Sequence, residues 1–128
     1  MKKIIESAWE GRHFDLWALV HFCSGAAFGA GALFFALSFQ TSFLILIIAA
    51  ILWEVFEIYK EIKEFRLNRA LDVLAAGIGF GLLYFFLPLL NLPRLYLPVF
   101  LSLVCLLAVL NYSGWRNYKR RTKERDKL

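Results

Sequence analysis

Two carboxylates, Glu54 and Glu57, interrupt the apolar run Ala50–Tyr59, and Glu61 and Glu64 continue their spacing beyond it. Separations of three, four and three residues place all four acids on one face of a helix, at about 100° per residue. Like charges three or four apart cost about 0.2–0.5 kcal/mol each on an exposed helix, and more where water is scarce. Such a stripe needs partners: basic groups, protons, a metal or a polar ligand. Because two acids in a semi-dry site cannot both ionise cheaply, a proton or a cation is expected to accompany one of them. Three further residues break otherwise apolar stretches. They are His21, Asp72 and Asn111. His21, Glu54, Glu57 and Asp72 supply oxygen and imidazole groups of the kind that Zn, Mn or Fe accept, so a divalent metal is the candidate cofactor.

The elements that must position these residues follow from composition. The chain has 128 residues, 60% of them hydrophobic and 17% aromatic, well above the roughly half-apolar content of soluble domains. That length fits one unit of four membrane helices at about 20 residues each. The predicted fold is an all-α integral membrane protein, a four-helix transmembrane bundle. Its spans are expected near 16–39, 42–60, 70–88 and 98–114, in one transmembrane domain (1–115) followed by a basic cytoplasmic tail (116–128). Residues 2–10 alternate apolar Ile4, Ile5, Ala8 and Trp9 with charged neighbours, which predicts a short interfacial helix that Gly11 breaks. No apolar core with a cleavage site follows Met-Lys-Lys, so no cleaved signal peptide is expected. Asn68 is the expected N-cap of the third helix and Pro98 the expected first residue of the fourth. Gly25 and Gly29 in the first helix, with Gly77 and Gly81 in the third, form two small-residue faces expected to pack together. Cys23 and Cys105 fall in separate apolar stretches, with no companion spacing for a metal or a disulfide.

Charge sets the orientation. Three Lys/Arg precede the first span, four lie in residues 60–69, and seven follow Gly114, whereas the opposite loops hold only Arg94. Fourteen of fifteen on one side predicts cytoplasmic N- and C-termini in the inner (plasma) membrane. The same asymmetry explains the net charge of +5 without invoking nucleic acid. With this topology His21, Glu54, Glu57, Asp72 and Asn111 fall within about 5–10 Å of one membrane depth. Five polar residues at one level predict a shared cytoplasm-facing pocket, since intramembrane ionisable groups turn toward a bundle interior.

Structural pairings compete with that pocket: Glu57 with Lys60, Asp72 with Arg69, and His21 with a neighbouring backbone carbonyl. Three functions fit the pattern. In the first the chain is a non-catalytic membrane module, its polar cluster fixing helix packing and its basic tail meeting anionic lipid or a partner protein. In the second the cluster is a divalent-metal or lipid-headgroup site, with membrane hydrolysis as its extension. Proton or ion handling is the third. No nucleophile elbow or phosphate-binding loop is present to favour an enzyme. Membrane lipids, a second copy of the chain, or a membrane protein are the expected partners.

The order His21 in a Gly-rich first helix, Trp53-Glu54-x-x-Glu57, then Asn68-x-x-x-Asp72 leading into Gly77–Gly81 resembles the VanZ-like and YjdF-like small membrane proteins, over roughly residues 15–83. The Trp-Glu-x-x-Glu form looks closer to the YjdF-like branch, because VanZ-like sequences more often carry Gln at the position of Glu57. The resemblance implies a multi-span inner-membrane protein of the cell envelope. VanZ itself is associated with glycopeptide-antibiotic tolerance.

Overall fold

The structure is a computed structural model that describes residues 16–60 and 66–127, with the side chains of residues 66–68 and 125 left undescribed. It is all-α. Four helices are long and apolar enough to cross a membrane. They are α1 (Leu16–Phe34), α2 (Phe39–Tyr59), α3 (Arg66–Phe86) and α4 (Tyr96–Arg125), with two 3₁₀ turns at Leu87–Leu90 and Pro93–Leu95 between the last two. The interfacial helix expected over residues 2–10 lies outside the described residues, as do Glu61 and Glu64.

The helix ends depart from the sequence expectation, each for a local reason. α1 stops at Phe34 rather than near residue 39, because Ala36 adopts a left-handed conformation (φ 53°). There Leu37 N–H donates to Ala32 O at 2.8 Å and Ala36 N–H to Leu33 O at 3.1 Å, the paired bonds of a Schellman C-terminus. α2 then begins at Phe39 rather than Ser42. Ser38 is its N-cap, accepting from Thr41 N–H at 3.2 Å, while the Ser42 hydroxyl donates to Ser38 O at 2.7 Å. Asn68 lies inside α3, which begins at Arg66. Pro98 is the third residue of α4, still within the first turn, where no N–H is needed. α4 also runs through Gly114 to Arg125. One buried glycine costs about 1 kcal/mol of helix propensity, too little to end a helix flanked by good helix formers.

α1 is the hub. Just over half of its spanning window (56%) is buried, against 11% for α2 and none for α4. Its buried residues are mostly small: Ala18, Cys23, Gly25, Ala26, Ala27, Gly29, Ala30, Gly31 and Ala32. That smallness brings α3 into backbone contact. A Cβ on Gly25 would run into the Ala76 backbone, one on Gly79 into the Phe22 carbonyl, and one on Gly29 would lie 2.7 Å from Phe80 O. Gly31 opens a second side to α4, where Phe100 fills the space.

The expected α1–α3 packing therefore exists, with a different partner set on α3. A Cβ at Gly77 or Gly81 would meet nothing within 4 Å. The face of α3 turned to α1 carries Asp72, Ala76, Gly79 and Phe80, all buried. These positions recur every three to four residues, and Gly77 and Gly81 belong to a neighbouring stripe.

This arrangement separates the glycines by experiment. Gly25→Leu or Gly79→Leu is expected to cost at least about 1–3 kcal/mol through overpacking against backbone. Gly77→Ala and Gly81→Ala are expected to leave stability unchanged or raise it by up to about 1 kcal/mol. Thermal melting of the purified protein in one detergent checks all four.

Candidate functional site

α2 is fastened to the bundle at its two ends. At its N-terminal end Phe39 meets Phe80, Tyr84 and Phe85, with ring centroids 6.0, 5.8 and 5.4 Å apart. Tyr84 also donates its hydroxyl hydrogen to Leu37 O at 3.0 Å, tying the α1–α2 turn to α3. At the other end Trp53 lies edge-on to His21 at 6.1 Å, and Phe56 reaches Trp115 on α4 at 6.5 Å. Between these attachments Leu46, Ala49 and Ala50 leave a gap. The gap is a cavity of about 300 Å³, with walls from all four helices. Its lining is mainly apolar, and its polar residues are His21, Ser24, Trp53, Glu54 and Asn111.

The ionisable groups expected at one depth do meet at this end of the bundle, in the following contacts. His21 Nδ1 lies 2.7 Å from Trp17 O. A carbonyl can only accept, so Nδ1 carries the hydrogen. The same nitrogen is 3.8 Å from Asp72 Oδ2, with Asp72 almost fully buried. Glu54 Oε2 on α2 lies 3.7 Å from Arg69 Nε on α3. Glu57 is buried and accepts from Trp53 Nε1–H at 2.7 Å, one turn back along α2. Asn111 Nδ2–H donates to Leu107 O at 2.9 Å on its own helix.

Arg69, weighed as a partner for Asp72 on its own helix, reaches across to Glu54 on α2. Lys60 places its ammonium over the rings of Phe56 and Tyr59, at 5.9 and 5.6 Å, rather than on Glu57. The expected carbonyl partner of His21 is present, one turn back at Trp17.

The cavity and the cluster overlap only in part. His21, Glu54 and Asn111 line the cavity, whereas Glu57 and Asp72 do not. Nor do His21, Glu54, Glu57 and Asp72 pool as metal ligands: among the described residues no group of three His, Cys, Asp or Glu is placed to hold a metal ion. Pairing is the physical reason, since it turns the acids toward Arg69, Trp53 and His21 instead of one centre. Sequence reasoning undervalued Trp53 and Arg69. Trp53 stands four residues before Glu57, one helical turn, and that spacing is the signal that could have found the indole donor.

Cys23 is buried and Cys105 exposed, and both are free thiols.

Removing the Trp53 donor while keeping its ring tests this arrangement. Trp53→Phe strands the buried Glu57 acceptor and is expected to cost about 1–3 kcal/mol in detergent melting experiments. Glu57→Gln keeps an acceptor oxygen for the indole N–H and is expected to cost less than half as much.

Compared with known proteins, the chain matches no family model, and no curated protein or solved structure is significantly similar to it.

Proposed function

We propose that this protein is a non-catalytic four-span module of the inner membrane and cell envelope. On this reading the His21, Glu54, Glu57 and Asp72 end faces the cytoplasm and holds the helices in register. The observation that carries it is the pairing. Each ionisable group has a partner within the bundle, and two of the pairs, His21–Asp72 and Glu54–Arg69, join different helices. A catalytic centre would instead hold a nucleophile, acid or base ready for substrate. A buried pair acts as a register device because separating its partners leaves a charge without compensation in a poorly solvated place. The exposed apolar residues of α2, including Leu44, Ile48, Leu52 and Val55, supply a lipid-facing surface. The lopsided Lys/Arg distribution supports cytoplasmic termini.

Two experiments test the reading. In a double-mutant cycle, His21→Leu and Asp72→Leu should each lower the melting temperature, and the pair together should recover at least about 1 kcal/mol of the summed loss. Additive losses would remove the register role. Orientation is tested by Gln40→Cys and Arg94→Cys in a chain whose Cys23 and Cys105 are replaced by Ser. Both should label from outside intact cells with a membrane-impermeant maleimide. Labelling of neither, with the reagent shown to work, would reverse the topology.

A further inference from the structure

The polar end of the cavity is chemically one-sided. Most of its hydrogen-bond donors are spent inside the protein. His21 Nδ1–H goes to Trp17 O, Ser24 Oγ–H to Val20 O at 2.8 Å, Asn111 Nδ2–H to Leu107 O, and Trp53 Nε1–H to Glu57. What these residues still offer is mainly acceptor capacity: the Ser24 oxygen lone pairs, Asn111 Oδ1 and the Glu54 carboxylate, with His21 Nε2 beside them. Asn111 keeps one N–H. Charge leans the same way, since Glu54 lines the cavity and no Lys or Arg does so among the described residues. A phosphate or carboxylate head would meet lone pairs and negative charge. A head bearing several N–H donors and a positive charge would satisfy them.

The remainder of the cavity is apolar, walled by Phe28, Leu46, Ala49, Ala50, Val73 and Ala76. Its volume of about 300 Å³ is roughly twice that of an apolar cavity that holds benzene, so it suits on the order of a dozen heavy atoms. Ala49 and Val73 line the cavity yet remain exposed. It therefore opens between α2 and α3, at the part of α2 that stands away from its neighbours, and a chain dissolved in the bilayer could slide in sideways.

We propose that this cavity binds a single-chain amphiphile with a primary ammonium head, the head held by Glu54 with His21, Ser24 and Asn111, and the alkyl chain lying along Ala49, Ala50 and Val73. A primary ammonium has three N–H donors and one positive charge, matching the acceptors and the carboxylate. This goes beyond the register role above, which would stand with the cavity empty.

The test uses the full chain in phosphatidylcholine nanodiscs and a dodecylamine carrying a diazirine near the end of its chain. After irradiation, peptide mass spectrometry should place the label on residues 46–50 of α2 and 73–76 of α3. Unlabelled dodecylamine should compete at least tenfold better than dodecyltrimethylammonium, which keeps the charge but has no N–H, and better still than dodecanol or dodecanoate. Each methylene removed from the competitor should weaken it about fourfold. Glu54→Gln should weaken competition at least tenfold by removing a charge-assisted bond. Ala50→Phe, which fills the cavity and leaves every polar pair in place, should abolish specific labelling. If Glu54→Gln fails to fold, Ala50→Phe decides. Label spread evenly over Leu44, Ile48 and Leu52, equal competition by dodecanol, or unchanged labelling of Ala50→Phe would overturn the proposal. The melting experiments on His21 and Asp72 are independent of these outcomes.

Discussion

The structure depends on the close approach of two backbones, α1 and α3, at Gly25 against Ala76 and Gly79 against Phe22. Helix association in lipid lacks the strong drive that water gives apolar surfaces, so van der Waals packing over a smooth small-residue face has to supply it. α1 provides that face along most of its length. Every other contact of interest is placed by this one. With α3 seated against α1, Asp72 stands beside His21, and Arg69, one turn earlier, reaches across to Glu54 on α2. Phe80, the largest fully buried side chain, then forms the floor on which the aromatic residues at the start of α2 rest.

The polar end follows a different logic from the small-residue face. A carboxylate inside a membrane protein is costly unless a donor or an opposite charge meets it, and the sequence contains few basic residues at that depth. Arg69 serves Glu54, an indole N–H serves Glu57, and an imidazole serves Asp72. The donors of Ser24 and Asn111 are absorbed by carbonyls one turn back, a common fate of small polar side chains in apolar helices. The cavity is the by-product of α2 being held by bulky rings at each end and carrying alanines between them.

Much of this was legible in the sequence, and the parts that were not share a cause. Four apolar stretches and their charge asymmetry give the helices and their antiparallel order. The depth of His21, Glu54, Glu57 and Asp72 follows from counting residues along them. Which glycines touch was not legible, because Gly77, Gly79 and Gly81 lie on different faces and periodicity cannot say which one is turned to α1. The Arg69–Glu54 pair was hidden for the same reason: it depends on the rotation of α3 about its own axis, which the Gly25–Ala76 contact sets. The Ser38 cap and the reversal at Ala36 rest on single-residue backbone conformations. An alanine in the left-handed region carries no compositional signal of the kind a glycine would give.

The uninterrupted α4 has an electrostatic consequence. At 30 residues it is about 45 Å long, some 15 Å more than a bilayer's hydrocarbon thickness. Arg116, Lys119, Arg120 and Lys123 recur at the spacing of a single helical face, on a continuous helical stretch. Successive cations on such a rod stand at fixed heights, spread over about 10 Å from Arg116 to Lys123. Salt screens charge over about 8 Å at physiological ionic strength. The separation of Arg116 and Lys123 along the helix therefore exceeds one screening length. An anionic group beside Arg116 is therefore felt only weakly by Lys123, and ionic strength sets how many of the four cations one anionic centre attracts at once.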